Sequence, residues 1–131
     1  MVEPRTVYRF ARIGNADDPD LENEFLSDRE AGKRPFSREK AVPELRDGMS
    51  TFGSLEAARE RWHEMSEIAA ARGQPVRAGN FILEVELTPG SGFLLEDLGE
   101  PDEHLTIWGD KTRLAQAVTR VYAAATEGEL G

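Results

Sequence analysis

Residues 80–88, Asn-Phe-Ile-Leu-Glu-Val-Glu-Leu-Thr, alternate between apolar and polar along almost their whole length. Successive side chains of a strand point to opposite faces. Phe81, Leu83, Val85 and Leu87 therefore share one face, and Ile82, Glu84, Glu86 and Thr88 share the other. A strand of this kind buries one face on a core and turns the second to solvent or a cleft, which is the habit of antiparallel sheets. The rest of the chain must supply its neighbours.

Several segments are suited to that. Thr6–Ile13 alternates and is rich in β-formers, with Val7, Arg9, Ala11 and Ile13 on one side and Tyr8, Phe10 and Arg12 on the other. Gly48–Phe52 reads as a short strand carrying Ser50 and Thr51, followed by a turn and a capped helix. Phe93–Glu96 and His104–Trp108 are further short strands. The clearest helix runs from about Leu55 to Arg72. Ser54 is its N-cap, since a hydroxyl there can accept from the free N–H groups of the first turn. Leu55, Ala58, Trp62, Met65 and Ala69 recur at helical steps, with Ile68 flanking, and Gly73 and Pro75 end the helix. His63 falls off that stripe. Asp17-Asp18-Pro19-Asp20 signals a second, short helix with Leu21, Phe25 and Leu26 inward. After Asp110, a natural cap, Leu114, Ala117, Val118, Val121, Tyr122 and Ala125 keep helical spacing, but the β-branched content of 118–122 also admits a final strand. Pro35, Pro43 and many charges make 33–47 a long loop, and 127–131 reads as a frayed tail.

Four to six short strands with two or three helices, segregated along the chain, predict a single α+β domain over residues 1–131 with a mostly antiparallel sheet. A length of 131 residues suits one domain with a real core. No apolar run approaches the ~20 residues needed to span a bilayer. With no secretory h-region at the N-terminus and no Cys, the expectation is a cytoplasmic protein without disulfides or thiolate metal sites.

The net charge of −9 argues against a nucleic-acid partner, which needs an excess of Lys and Arg facing the phosphates. The charge is uneven. Residues 15–28 hold six acids and no base, 84–103 hold seven acids and no base, and 29–46 hold six bases against three acids. The basic stretch suits an anionic ligand, or is simply a solvated loop.

Motifs for most chemistries are missing. Two His without HExxH or EF-hand spacing give no metal site, and there is neither a GxGxxG nor a Walker loop. Glu84 and Glu86, about 7 Å apart on one strand face, have the spacing of an acid–base pair or of an ordinary solvated face. His104 shares a strand face with Thr106 and Trp108, where an imidazole could meet a base or nicotinamide ring, or act as a structural residue. Arg9 sits on the inward face of its strand, so its charge must be paired or meet an anionic ligand.

Tyr8-Arg9, Ser50-Thr51-Phe52 and an acid further on resemble the ADP-ribosyltransferase-like families, small α+β domains that bind NAD in a cleft between two sheets. The resemblance covers about a dozen residues, and Phe52 replaces the second serine of the usual Ser-Thr-Ser. It implies that Arg9 holds an NAD phosphate or ribose, and that Ser50 and Thr51 brace the strand and orient the nicotinamide ribose. Glu103, His104 or Glu86 would supply the third element, where an acid would stabilise the cationic sugar formed as nicotinamide leaves. On this reading the catalytic group is Arg9, His104 and Glu103, and NAD contacts Arg9, Ser50, Thr51 and His104, without a metal.

A different class fits the same composition. A small acidic chain could be an immunity, antitoxin or inhibitor-type interaction protein whose acidic segments meet a basic protein surface. A third option is an accessory domain whose sheet edge pairs with another chain.

Overall fold

In a computed structural model of the chain, the alternating segment is a strand, Phe81–Leu87, laid against Arg5–Ala11 through seven consecutive residue pairs, from Arg5 opposite Leu87 to Ala11 opposite Phe81. The structure describes residues 5–15, 17–25, 49–76, 78–88, 94–97 and 104–125. The expected loop 33–47 and the tail 127–131 lie outside them.

The strands are β1 (Arg5–Ala11), β2 (Met49–Phe52), β3 (Phe81–Leu87), β4 (Leu94–Asp97), β5 (His104–Trp108) and β6 (Val118–Ala123). They form one sheet in the order β4-β5-β2-β1-β3-β6. Every neighbouring pair is antiparallel. With helices α1 (Leu55–Ala71) and α2 (Lys111–Gln116) and a 3-10 turn at Leu21–Phe25, the fold is α+β.

Strand parity sorts the core into two layers. Val7, Ala11, Leu83, Val85, Leu105 and Ile107 are fully or almost fully buried on one face, under Leu21 and Phe25 of the 3-10 turn and Leu114 of α2. On the other face Phe52 and Ile82 meet Ala57, Ala58 and Trp62 of α1. The second face is thus partly roofed by a helix rather than left wholly to solvent. Met65 and Ala69 of the expected stripe are half-buried and Ile68 is 51% exposed, so α1 docks mainly through its first two turns.

The ends of α1 follow from its sequence. The Ser54 hydroxyl accepts from the Ala57 N–H at 3.1 Å. At the other end Gly73 adopts φ 67°, the left-handed conformation that costs glycine little. The Gln74 N–H then bonds to the Ala69 carbonyl at 2.9 Å and the Gly73 N–H to Ala70 at 3.1 Å, a Schellman closure. Trp62 donates its indole N–H to the Gly79 carbonyl at 2.8 Å. Gly79 itself has φ 96° and lies so close to the Ala11 backbone that no Cβ fits.

The segment after Asp110 divides. Asp110 caps α2 by accepting from Arg113 N–H, and the chain then turns into β6. Val118 and Val121 stand three residues apart, so plain alternation would send them to opposite faces. Both pack on the first face. A β-bulge reconciles them: Val118 lies opposite Val85, Arg120 opposite Glu84, and Thr119 is the extra residue between. The i, i+3 spacing that suggests a helix in the sequence is the spacing this bulge requires.

Candidate functional site

The residues singled out by motif lie on β1, β2 and β5, consecutive neighbours in the sheet. Tyr8 pairs with Phe52, which places Arg9 one step on, opposite Thr51. Ser50 pairs with Thr106, and Phe52 with His104.

Arg9 shares the face of Val7 and Ala11, as its strand parity predicts, and is half-buried. Its guanidinium donates from Nε to the Glu24 carbonyl and from Nη1 to the Ser50 carbonyl, each at 2.7 Å. Glu24 lies near the end of the 3-10 turn, where carbonyls have no partner within the turn. Arg9 therefore fastens that turn and β2 to β1.

Thr51 is fully buried, and its hydroxyl donates to the Leu105 carbonyl at 3.0 Å. It braces β2 against β5. Ser50 points to the opposite face from Thr51 and is exposed. His104 is placed by its backbone at the start of β5. Glu103 lies outside the described residues. Arg9 and Thr51 thus occupy the face under the 3-10 turn, while Ser50 emerges on the face that carries α1. The resemblance implies a cleft between two sheets, whereas the described strands form one continuous sheet.

A second polar group appears on the α1 face, centred on Glu84. Its Oε2 accepts from the Tyr122 hydroxyl at 3.1 Å and the Tyr8 hydroxyl at 3.3 Å. Its Oε1 accepts from Thr119 Oγ1 at 2.7 Å. Three strands meet at this carboxylate, because Tyr8 on β1 and Arg120 on β6 both pair with Glu84 on β3. Arg59 of α1 closes over the group. It donates to the Ala123 carbonyl at 3.1 Å and stands 5.7 Å from the Tyr122 ring centre. Both phenols are held above their usual 10, first by burial and then by the Glu84 carboxylate. They stay protonated and serve as donors. Glu86, the other half of the expected acid–base pair, is exposed. The sequence signal for this group is faint: Glu84 and Tyr8 sit on the polar faces of their strands, but only the register brings them together.

Among the described residues no group of three or more His, Cys, Asp or Glu is placed to hold a metal ion. No helix of the described residues is long and apolar enough to cross a membrane. A shallow depression of about 240 Å³ lies elsewhere, between the 3-10 turn and α2, lined in part by Asp17, Asp18, Glu22 and Gln116. It contains none of the residues picked out by motif. No known protein family, curated protein or solved structure matches this chain.

Proposed function

We propose that the chain is an ADP-ribosyltransferase-like domain that binds NAD or a related nucleotide across β5, β2 and β1. One observation carries this reading: three motif strands separated in the sequence are consecutive in the sheet. Adjacent strands lie about 4.8 Å apart, so the three span about 10 Å, a width one nucleoside can cover. The roles shift from those the resemblance implies. Arg9 and Thr51 form the frame, and Ser50 and His104 are the groups assigned to the ligand. Transfer of ADP-ribose needs an acid beside the developing cationic sugar, and Glu103 keeps that assignment.

Calorimetric titration with NAD tests the reading. Saturable binding is expected, weakened about fivefold in Ser50→Ala, the effect of one neutral hydrogen bond. No heat at millimolar NAD contradicts it.

The acidic interaction protein is the second reading. It is favoured by the bonds through which Arg9 and Thr51 hold backbone carbonyls, and by the one continuous sheet that the described strands form. Helix α1 also exposes Glu56, Glu60 and Glu64 at four-residue steps, with Glu64 paired to Arg61 at 3.1 Å. This reading predicts that an oligo-arginine peptide binds at low ionic strength and is released by salt, while NAD produces no heat.

A further inference from the structure

Thr119 is where β6 departs from a regular ladder. On its N-terminal side the pairing is Val85 with Val118, and on its C-terminal side Glu84 with Arg120. A ladder without the bulge lies close at hand. Sliding residues 117–119 by one step would set Thr119 opposite Val85 and Val118 opposite Glu86, and would leave the pairs from Arg120 to Ala123 untouched. Its main apolar cost is the half-buried Val118, which would turn to the other face. A bulge competing with so near an alternative needs something to hold it.

We propose that Glu84 is a register latch: its carboxylate holds Thr119 in the bulge and thereby sets where β6 leaves α2. Tyr8 and Tyr122 both donate to Oε2 and fix the carboxylate plane, which presents Oε1 to Thr119 at 2.7 Å. In the slipped ladder Thr119 faces the opposite side of the sheet, and that bond is lost. The two tyrosine bonds survive in either register, so the Thr119 bond is the one that discriminates.

The consequence reaches the other face of the sheet. The Glu86 N–H bonds to the Ala117 carbonyl at 3.0 Å, next to the C-terminal end of α2. One step of slippage advances the chain by about 3.3 Å, breaks that bond and draws on Leu114, the fully buried α2 residue under the 3-10 turn. A carboxylate on the α1 face thus governs the seat of a helix on the opposite face. This inference stands whether or not the chain binds a nucleotide.

The test uses the labelled full chain, with cross-strand nuclear Overhauser contacts and amide exchange as readouts. Thr119→Ala is the gentler variant, since Thr119 is exposed and the swap removes the hydroxyl without adding apolar bulk. It should give a second set of contacts joining Val118 to Glu86. Glu84→Ala should do the same and speed exchange at 117–119 by about tenfold or more, with β1, β2 and β5 unchanged. Deleting Thr119 writes the bulge out of the chain while keeping both flanking pairings, so Glu84→Ala in that background should leave β6 exchange as it was. Native contacts alone in both substitutions overturn the proposal. So does faster exchange spread evenly over all six strands, or β6 loosening that persists in the deletion background.

Discussion

Arg9 shows how a charge is accommodated on the inward face of a strand. Its Nε and Nη1 donate to the Glu24 and Ser50 carbonyls at 2.7 Å. Arg9→Met should cost about 1–3 kcal/mol, towards the low end because the residue is only partly buried. Arg9→Lys, which can reach one carbonyl, should recover part of the loss. Thr51→Val removes the hydroxyl that donates to the Leu105 carbonyl in a fully buried place and should cost about 1 kcal/mol. Chemical denaturation measures both, and an unchanged midpoint in either would mean that these bonds do not hold the sheet.

The chain has only two tyrosines, and both donate to Glu84. Because the folded state raises both above 10, it favours the protonated phenols. The stability this contributes is fully present below pH 10 and is lost as pH rises through the folded values, since the unfolded chain ionises first. Absorbance titration of the phenolate band should therefore show both tyrosines titrating later in the folded protein than in urea. In Glu84→Ala the two curves should move closer together. A folded curve that matches the unfolded one would remove the physical basis of this cluster.

At the scale of the element, helix α1 was legible because its signals are local. Ser54 and Gly73 mark its ends within the chain itself, and the observed helix stops within a residue of the expected Arg72. Ser54→Ala should cost about 1 kcal/mol. Gly79→Ala should cost about 2 kcal/mol or more, through the positive φ and the missing space beside Ala11. Thermal melts rank the two, and a Gly79→Ala protein as stable as the parent would show that the turn readily rearranges. His104–Trp108 was legible to the residue, since Gly109 and Asp110 close it. Element β6 was ambiguous for a physical reason: a bulge gives Val118 and Val121 the i, i+3 spacing of a helix. The bonds of Arg9 and Glu84 were illegible, because they depend on which strands become neighbours and in what register. Parity placed Arg9 on the inward face correctly, but it could not reveal that a carbonyl from the 3-10 turn would meet it.

At the scale of the whole molecule, one antiparallel sheet carries α1 on one face and the 3-10 turn and α2 on the other. Its net charge of −9 opposes compaction by self-repulsion. Moderate salt should raise the thermal midpoint by screening that repulsion, and a falling midpoint would point instead to stabilising ion pairs. The same charge leaves an anionic nucleotide dependent on local groups, and on this account Ser50 and His104 are those groups. The most direct measurement is an amide NMR titration of the labelled chain with NAD. Nucleotide binding across β5, β2 and β1 predicts localised shifts at Ser50, Phe52, His104 and Thr106 that saturate, with β6 unmoved. An unchanged spectrum at millimolar NAD, or shifts confined to the exposed glutamates of α1, would contradict it.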